Sequence, residues 1–246
     1  MIAVDLGKIS YDESLYYQES VHAMRVEGRI DDVVFLVEHD SIITIGKSGG
    51  ERDLLVPEEV LIKRGIPVRR VNRGGKITCH YPGQLVVYPI MDLNDHHMGV
   101  FELVNNLEEI IIRALADFGI KGERVRRNRG VFVKDNKISS IGLEVRKSVT
   151  MHGLSLNVFE DWSLYSLFIP CGITDKGITF LRNCLPPDST VDMKMIKKNI
   201  VHHFERIFSV SIAEIVLPSD CSSPRNLDFL ISAGHFDEPR SIPRCR

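Results

Sequence analysis

Apolar and polar positions recur along the chain with two different periods, and the switches between them mark out the elements. Residues 11–25 mix polar and apolar positions at helical spacing, and residues 100–118 do so most clearly, with Gly119 placed to end the helix. A second long helix is predicted over 191–207, and a short one over 57–64, where Pro57 precedes two glutamates. Strands are predicted over 32–39, which holds a continuous Val-Val-Phe-Leu-Val run, and over 41–45, 67–72, 85–90 and 151–158. Residues 130–133 and 137–145 read as a hairpin turned by Asp135-Asn136. Strands follow one another at hairpin length with few helices between them. The pattern predicts an α+β fold with a mixed, largely antiparallel sheet flanked by helices.

No linker interrupts this pattern before about residue 217. Beyond it, Pro218, Pro224, Pro239 and Pro243 punctuate a weakly patterned tail in which Leu227-Asp228-Phe229-Leu230 is the one piece suited to a short docking helix. The expected organisation is a catalytic unit over residues 1–216 and a partly ordered tail over 217–246.

Composition narrows the function. The 246 residues are 43% hydrophobic and 26% charged, the balance of an ordinary globular protein. A net charge of −2 gives no case for nucleic acid. Arg124, Arg126, Arg127 and Arg129 crowd one stretch, and Arg69, Arg70 and Arg73 another. Each is either a solvated basic face or a docking patch for an acidic partner. Five scattered cysteines, with no C-x-x-C pair, argue against a disulfide framework and a structural zinc site. The N-terminus lacks a basic, then apolar, leader pattern, and no apolar run is long enough for a membrane span. A reducing cytoplasm is the expected compartment.

Two phosphate-loop patterns fail. Gly46-Lys47-Ser48 would need glycine at the position held by Ser41, and Gly74-Gly75-Lys76 is followed by Ile77 where Ser or Thr is required. The adjacent pairs His96-His97 and His202-His203 face apart on any regular element, so they are poor metal ligands. His152 reads equally as a backbone-bonded structural residue or as a direct participant.

The chemistry concentrates in three places. The first is the glycine-rich loop Arg73-Gly74-Gly75-Lys76-Ile77-Thr78-Cys79-His80, followed by Tyr81-Pro82-Gly83-Gln84, where main-chain amides can approach a substrate closely. Alternation turns Cys79 away from Thr78 and His80. The second is Cys171, set between Pro170 and Gly172 on a tightly bent backbone; Cys184, Cys221 and Cys245 have no such setting. The third is Lys137, whose amine near Cys171 would hold it as thiolate. Together they point to acyl chemistry through a thioester.

These segments resemble the lipoyl(octanoyl) transferases of lipoate biosynthesis. The R-G-G-x-x-T-x-H-x-P-G-Q loop, Lys137-Ile138-Ser139-Ser140-Ile141-Gly142, His152-Gly153-Leu154-Ser155-Leu156-Asn157 and Pro170-Cys171-Gly172-Ile173 stand in the family's order. Glu38-His39, ahead of Thr44-Ile45-Gly46, resembles its early strand pair, and the similarity runs over roughly residues 2–212. The resemblance implies the fold of the biotin and lipoate protein ligase catalytic domain. It implies an acyltransferase without cofactor or metal, acting as a monomer in the first step of endogenous protein lipoylation. Octanoyl (or lipoyl) would pass from acyl carrier protein to a lysine on lipoyl domains of 2-oxoacid dehydrogenase complexes or on the glycine cleavage carrier protein. By residue match, Cys171 would carry the acyl group and Lys137 would lower its pKa and shuttle protons. Arg73, Gly74, Gly75, Lys76, Ile77, Thr78, Cys79 and His80 would line the acyl pocket with Ser140, Ile141, Gly142, Gly153, Leu154 and Ser155.

Tyr81 stands where the family commonly has glycine, so its phenol is expected to narrow the mouth of the site or touch the carrier's pantetheine arm. Two other readings remain: an ATP-dependent lipoate or biotin ligase, which would need no cysteine, and a non-catalytic carrier-binding module built on the arginine clusters.

Overall fold

The computed structural model describes residues 1–126, 128–170 and 176–216. In chain order the elements are β1 (Ile2–Lys8), α1 (Tyr11–Val26), β2 (Val33–Glu38), β3 (Ile42–Ile45), α2 (Glu58–Lys63), β4 (Val68–Arg70), β5 (Ile77–His80), β6 (Gln84–Ile90), α3 (Val100–Ala116), β7 (Glu123–Val125), β8 (Asn128–Val133), β9 (Asn136–Arg146), β10 (Val149–Asn157), α4 (Trp162–Tyr165), β11 (Gly177–Ile178), α5 (Leu181–Cys184), α6 (Met193–Phe208) and β12 (Ala213–Val216).

Among the described residues these strands form two sheets. The larger runs β12-β1-β2-β6-β10-β9-β8-β7, with β11 added beside β9; the smaller runs β4-β3-β5. β1 lies parallel to β2 and β12, β11 parallel to β9, and every other neighbour pair in the larger sheet is antiparallel.

The continuous apolar run of β2 has a direct cause. Val33, Phe35 and Val37 pack with Tyr17, Val21 and Met24 of α1, while Val34 and Leu36 face the opposite layer of α3 and α6. A strand covered on both faces has no solvent side on which to place polar residues. The third core sits under the small sheet, where Ile43, Ile45, Ile77 and Cys79 pack with Leu61, Leu164 and Phe180.

Local chemistry sets the helix ends. Ser10 Oγ accepts from the Glu13 amide at 3.2 Å while the Glu13 carboxylate accepts from the Ser10 amide at 3.1 Å, a reciprocal cap on α1. Asp192 caps α6 by accepting from the Met195 amide at 2.7 Å. Gly119 follows α3 at φ +71°, the left-handed turn that stops it.

One turn differs from expectation. Val133 pairs with Asn136, so the β8–β9 hairpin turns on Lys134-Asp135, with Lys134 at φ +55°. Asn136 belongs to the ladder and not to the turn. β1 and β12 carried too little local punctuation to be read as strands. The tail over 217–246 lies outside the described residues.

Candidate active site

The glycine loop joins β4 to β5 and is fixed from two sides. The Gly46, Lys47 and Ser48 amides donate to the Lys76, Arg73 and Gly75 carbonyls at 2.7, 3.0 and 3.1 Å. From the other side, the Gly74 amide donates to the Leu143 carbonyl of β9 at 2.8 Å. The Gly46-Lys47-Ser48 segment is thus a clamp for the loop. A Cβ on Gly46 would lie 2.6 Å from the Gly75 carbonyl oxygen, so only glycine permits that approach.

Beside the loop opens a cavity of about 230 Å³. The loop and β5 give it Arg73, Gly75, Lys76, Thr78 and His80; β9 gives Lys137, Ser140, Ile141 and Gly142; β10 gives His152, Gly153, Leu154 and Ser155. Tyr11, Val86, Tyr88, Asn128 and Arg129 complete the wall. β9 and β10 bring their motifs side by side because they pair in register, Gly142 opposite Gly153 and Ser140 opposite Ser155.

Two buried cations border this space. Arg73, buried, donates Nη2 to the Thr44 carbonyl at 2.7 Å and to Thr44 Oγ1 at 2.9 Å, and Nη1 to the Gly74 carbonyl at 3.0 Å. Lys137 is only 4% exposed. Its Nζ donates to the Arg129 carbonyl at 2.7 Å and lies 5.5 Å from the centre of the Phe132 ring. Gly130, at φ +112°, makes room for it: a Cβ there would lie 2.9 Å from Lys137 Cε and 2.1 Å from the Ser139 carbonyl oxygen.

The histidines at the site are held neutral. Burial, then the neighbouring imidazole of His39, keeps His80 well below the ordinary histidine range. Burial, then the Arg73 charge, pushes His152 down to about 4. Burial likewise lowers His39 to about 4. His80 Nδ1 lies 2.8 Å from Gln84 Oε1, which accepts only, so this bond assigns the proton to Nδ1 and leaves Nε2 as an acceptor. Gln84 is fixed in turn by donating Nε2 to Asn157 Oδ1 at 2.9 Å. The His80 ring stacks on Tyr11 and meets His39 edge-on, with centroids 5.9 and 5.6 Å apart. Burial also raises the Tyr11 phenol to about 12, so it is a neutral donor.

Placement separates the residues singled out from sequence. Ile77 and Cys79 are fully buried in the small-sheet core, on the face opposite Thr78 and His80. Gly74 meets β9 through its amide and does not line the cavity. Cys171 lies outside the described residues. The chain just beyond it returns to the site, where Ile178 pairs with Lys137 and the Thr179 amide donates to the Lys137 carbonyl at 2.9 Å.

Tyr81 is not at the mouth. It is fully buried against Tyr165, because the strand parity that points His80 to the cavity points the next apolar ring into the small-sheet core. Several of the clustered arginines are paired locally. Arg69 pairs with Asp12, Arg70 with Glu51 and Glu58, and Arg124 with Glu108 and Glu109. Tyr11, Val86 and Tyr88 were not legible as site residues, since each looks like an ordinary core position in its own element.

The lipoyl protein ligase A/B catalytic-domain model matches residues 10–205. An octanoyltransferase of Caldicellulosiruptor bescii is 40% identical over 209 residues, covering 84% of this chain and 91% of its own. One of Parabacteroides distasonis is 39% identical over 216 residues, covering 83% and 97%. Among solved structures, a putative lipoate protein ligase from T. acidophilum with bound lipoic acid superposes with a TM-score of 0.71 at 14% identity, over 94% of this chain and 93% of that one, a likeness of fold. The chain belongs to the lipoyl protein ligase A/B catalytic-domain family and, within it, to the octanoyltransferases.

Proposed function

We propose that the unit over residues 1–216 moves an octanoyl group from acyl carrier protein to a lysine of a lipoyl domain, through a thioester on Cys171. The thiolate of Cys171 attacks the donor's thioester carbonyl, and the carrier's thiol leaves with a proton drawn from Lys137. One thioester replaces another at little cost. The acceptor's amine then attacks, its proton passes to the now neutral Lys137, and Cys171 leaves as thiolate with an amide formed.

The observation that carries this reading is the burial of the Lys137 amine at the wall of a narrow cavity. Lysine is seldom buried without purpose. Ile178, seven residues beyond Cys171 in the sequence, pairs with Lys137. A volume of about 230 Å³ is small beside the roughly 300–1,000 Å³ of pockets for drug-sized ligands, and suits a slender unbranched chain. The Tyr11 phenol and the hydroxyls of Thr78, Ser140 and Ser155 stand on the wall as donors for an acyl carbonyl, beside the main chain of the glycine loop. A free catalytic thiol works best in a reducing compartment such as the cytoplasm.

The test is intact-mass analysis after incubation with octanoyl-acyl carrier protein, with and without ATP. The expected result is one hydroxylamine-sensitive octanoyl adduct, independent of ATP and lost in Cys171→Ala. Labelling of Cys171→Ala, or a requirement for ATP, overturns the reading.

A further inference from the structure

The peptide unit between Arg129 and Gly130 has both of its polar atoms committed. Its carbonyl accepts from Lys137 Nζ at 2.7 Å. Its amide donates to Glu108 Oε1 at 2.9 Å. Glu108 is 2% exposed and lies on the buried face of α3, among Leu107, Ile110 and Ile111. A carboxylate in such a layer is costly unless it is well partnered. Its second oxygen accepts from Arg124 Nε at 3.1 Å and lies 4.0 Å from Arg129 Nη1. Those guanidiniums half-face solvent and account for the tolerance of the charge. They do not account for the bond to Gly130.

Without that bond, the peptide is hinged on a residue at φ +112°, the backbone setting least able to hold a direction by itself. Gly130 is required there by the Lys137 stem, so the chain cannot be stiffened by a side chain at that position.

We propose that Glu108 is a positioning residue for the transfer reaction, aiming the Arg129 carbonyl at Lys137 by holding the Gly130 amide from behind. This rests on the reading of Lys137 as the partner of Cys171. Glu108 touches no substrate and acts through one peptide unit, fixing where the lysine's amine sits and so how well it meets the thiol.

The experiment is a double-mutant cycle on the full chain, read by the alkylation rate of Cys171 at neutral pH, mapped by peptide mass, and by single-turnover octanoyl transfer. Glu108→Ala is expected to slow both by roughly 10- to 100-fold, the scale of a displaced catalytic group. Glu108→Gln keeps an oxygen for the Gly130 amide and should recover most of the loss. Glu102→Gln, exposed on the first turn of the same helix, should behave as wild type. In a Lys137→Met background, Glu108→Ala should add no further loss. Should Glu108→Ala not fold, Glu108→Asp, whose shorter reach breaks the same bond, replaces it in the cycle. Losses that multiply in the double variant, or a folded variant with wild-type thiol reactivity, overturn the inference. If Lys137→Met itself leaves alkylation and transfer unchanged, it is the underlying cysteine–lysine reading that fails.

Discussion

Gly142 and Gly74 touch backbone to backbone: a Cβ on Gly142 would lie 2.8 Å from the Gly74 carbonyl oxygen and 3.1 Å from Arg73 Cδ. The glycine loop therefore rests directly on β9, and the two motifs that line the cavity are one packed unit. Gly142→Ala should push the loop off β9. The expected cost is about 1–3 kcal/mol of stability and a roughly 10- to 100-fold slower acylation. Gly74→Ala is the comparison for stability, since a Cβ there meets the Leu143 carbonyl at an ordinary 3.4 Å. Chemical denaturation and single-turnover acylation read the two effects; equal stability of both variants would show that the loop adjusts freely. Gly75 is a poor probe, because at φ +82° any side chain strains the backbone whatever space it finds.

Lysine 137 has two separable duties in the proposed cycle, charge and proton transfer. Lys137→Arg keeps the cation but has no proton to give at neutral pH, whereas Lys137→Met removes both. Alkylation of Cys171 should therefore stay fast in Lys137→Arg and slow in Lys137→Met. Octanoyl transfer should be lost in both, by roughly 100-fold or more. A Lys137→Arg enzyme with normal turnover would leave the residue an electrostatic role only. Because the side chain is 4% exposed beside Gly130 and Phe132, folding of the arginine variant is checked first by thermal denaturation.

These expectations show how far the sequence reaches. The helix over Val100–Ala116 was legible because one face is apolar at helical spacing; that over Tyr11–Val26 was legible from Tyr17, Val21 and Met24 alone, since its buried face also holds Ser14, Gln18 and His22. The loop from Arg73 was legible because its glycines have no other use. Tyr11 and Tyr88 were not, because the stacking of Tyr11 on His80 and the contact of Tyr88 with His39 are relations between elements that no local pattern encodes. Glu108 was hidden by its own pattern. In Leu107-Glu108-Glu109 it reads as the polar side of an amphipathic helix, and only the fold turns it inward to Gly130. Tyr81 failed differently, since its departure from the family pattern drew attention to the mouth, while strand parity sends the ring to the core.

Acid should destabilise the protein through histidines at and behind the cavity. His39 and His152 are each lowered from 6.5 to about 4 by burial, and burial also holds His80 well below 6.5. The unfolded chain then binds more protons than the folded one below about pH 6.5, so stability rises with pH across that range. The contribution is fully present above pH 6.5 and is lost progressively as pH falls toward 4. Unfolding midpoints in denaturant between pH 4 and 7 should show this slope, and His152→Gln should flatten part of it. A slope confined to below pH 4 would instead implicate carboxylates such as Asp32, held below the usual carboxylate range by its bonds to His96 and Arg25 against the opposing effect of burial.

The last prediction concerns chain length. Among the described residues, Val86, Ile141 and Leu154 are the aliphatic side chains on the cavity wall, and the rest are aromatic, polar or main chain. An alkyl chain entering there gains about 0.8 kcal/mol per buried methylene, close to a fourfold rate factor for each, until the space ends. Val86→Leu fills part of that space and should move the optimum to a shorter donor, leaving butanoyl transfer nearly unchanged. Leu154→Ala opens space and should favour a longer donor, at a stability cost of about 2–5 kcal/mol because Leu154 is also core. Single-turnover acylation of Cys171 with donors from butanoyl to dodecanoyl reads both variants against wild type. Opposite shifts of the optimum are expected. A uniform loss at every length in both variants would mean that these side chains support the sheet and that the acyl chain lies elsewhere.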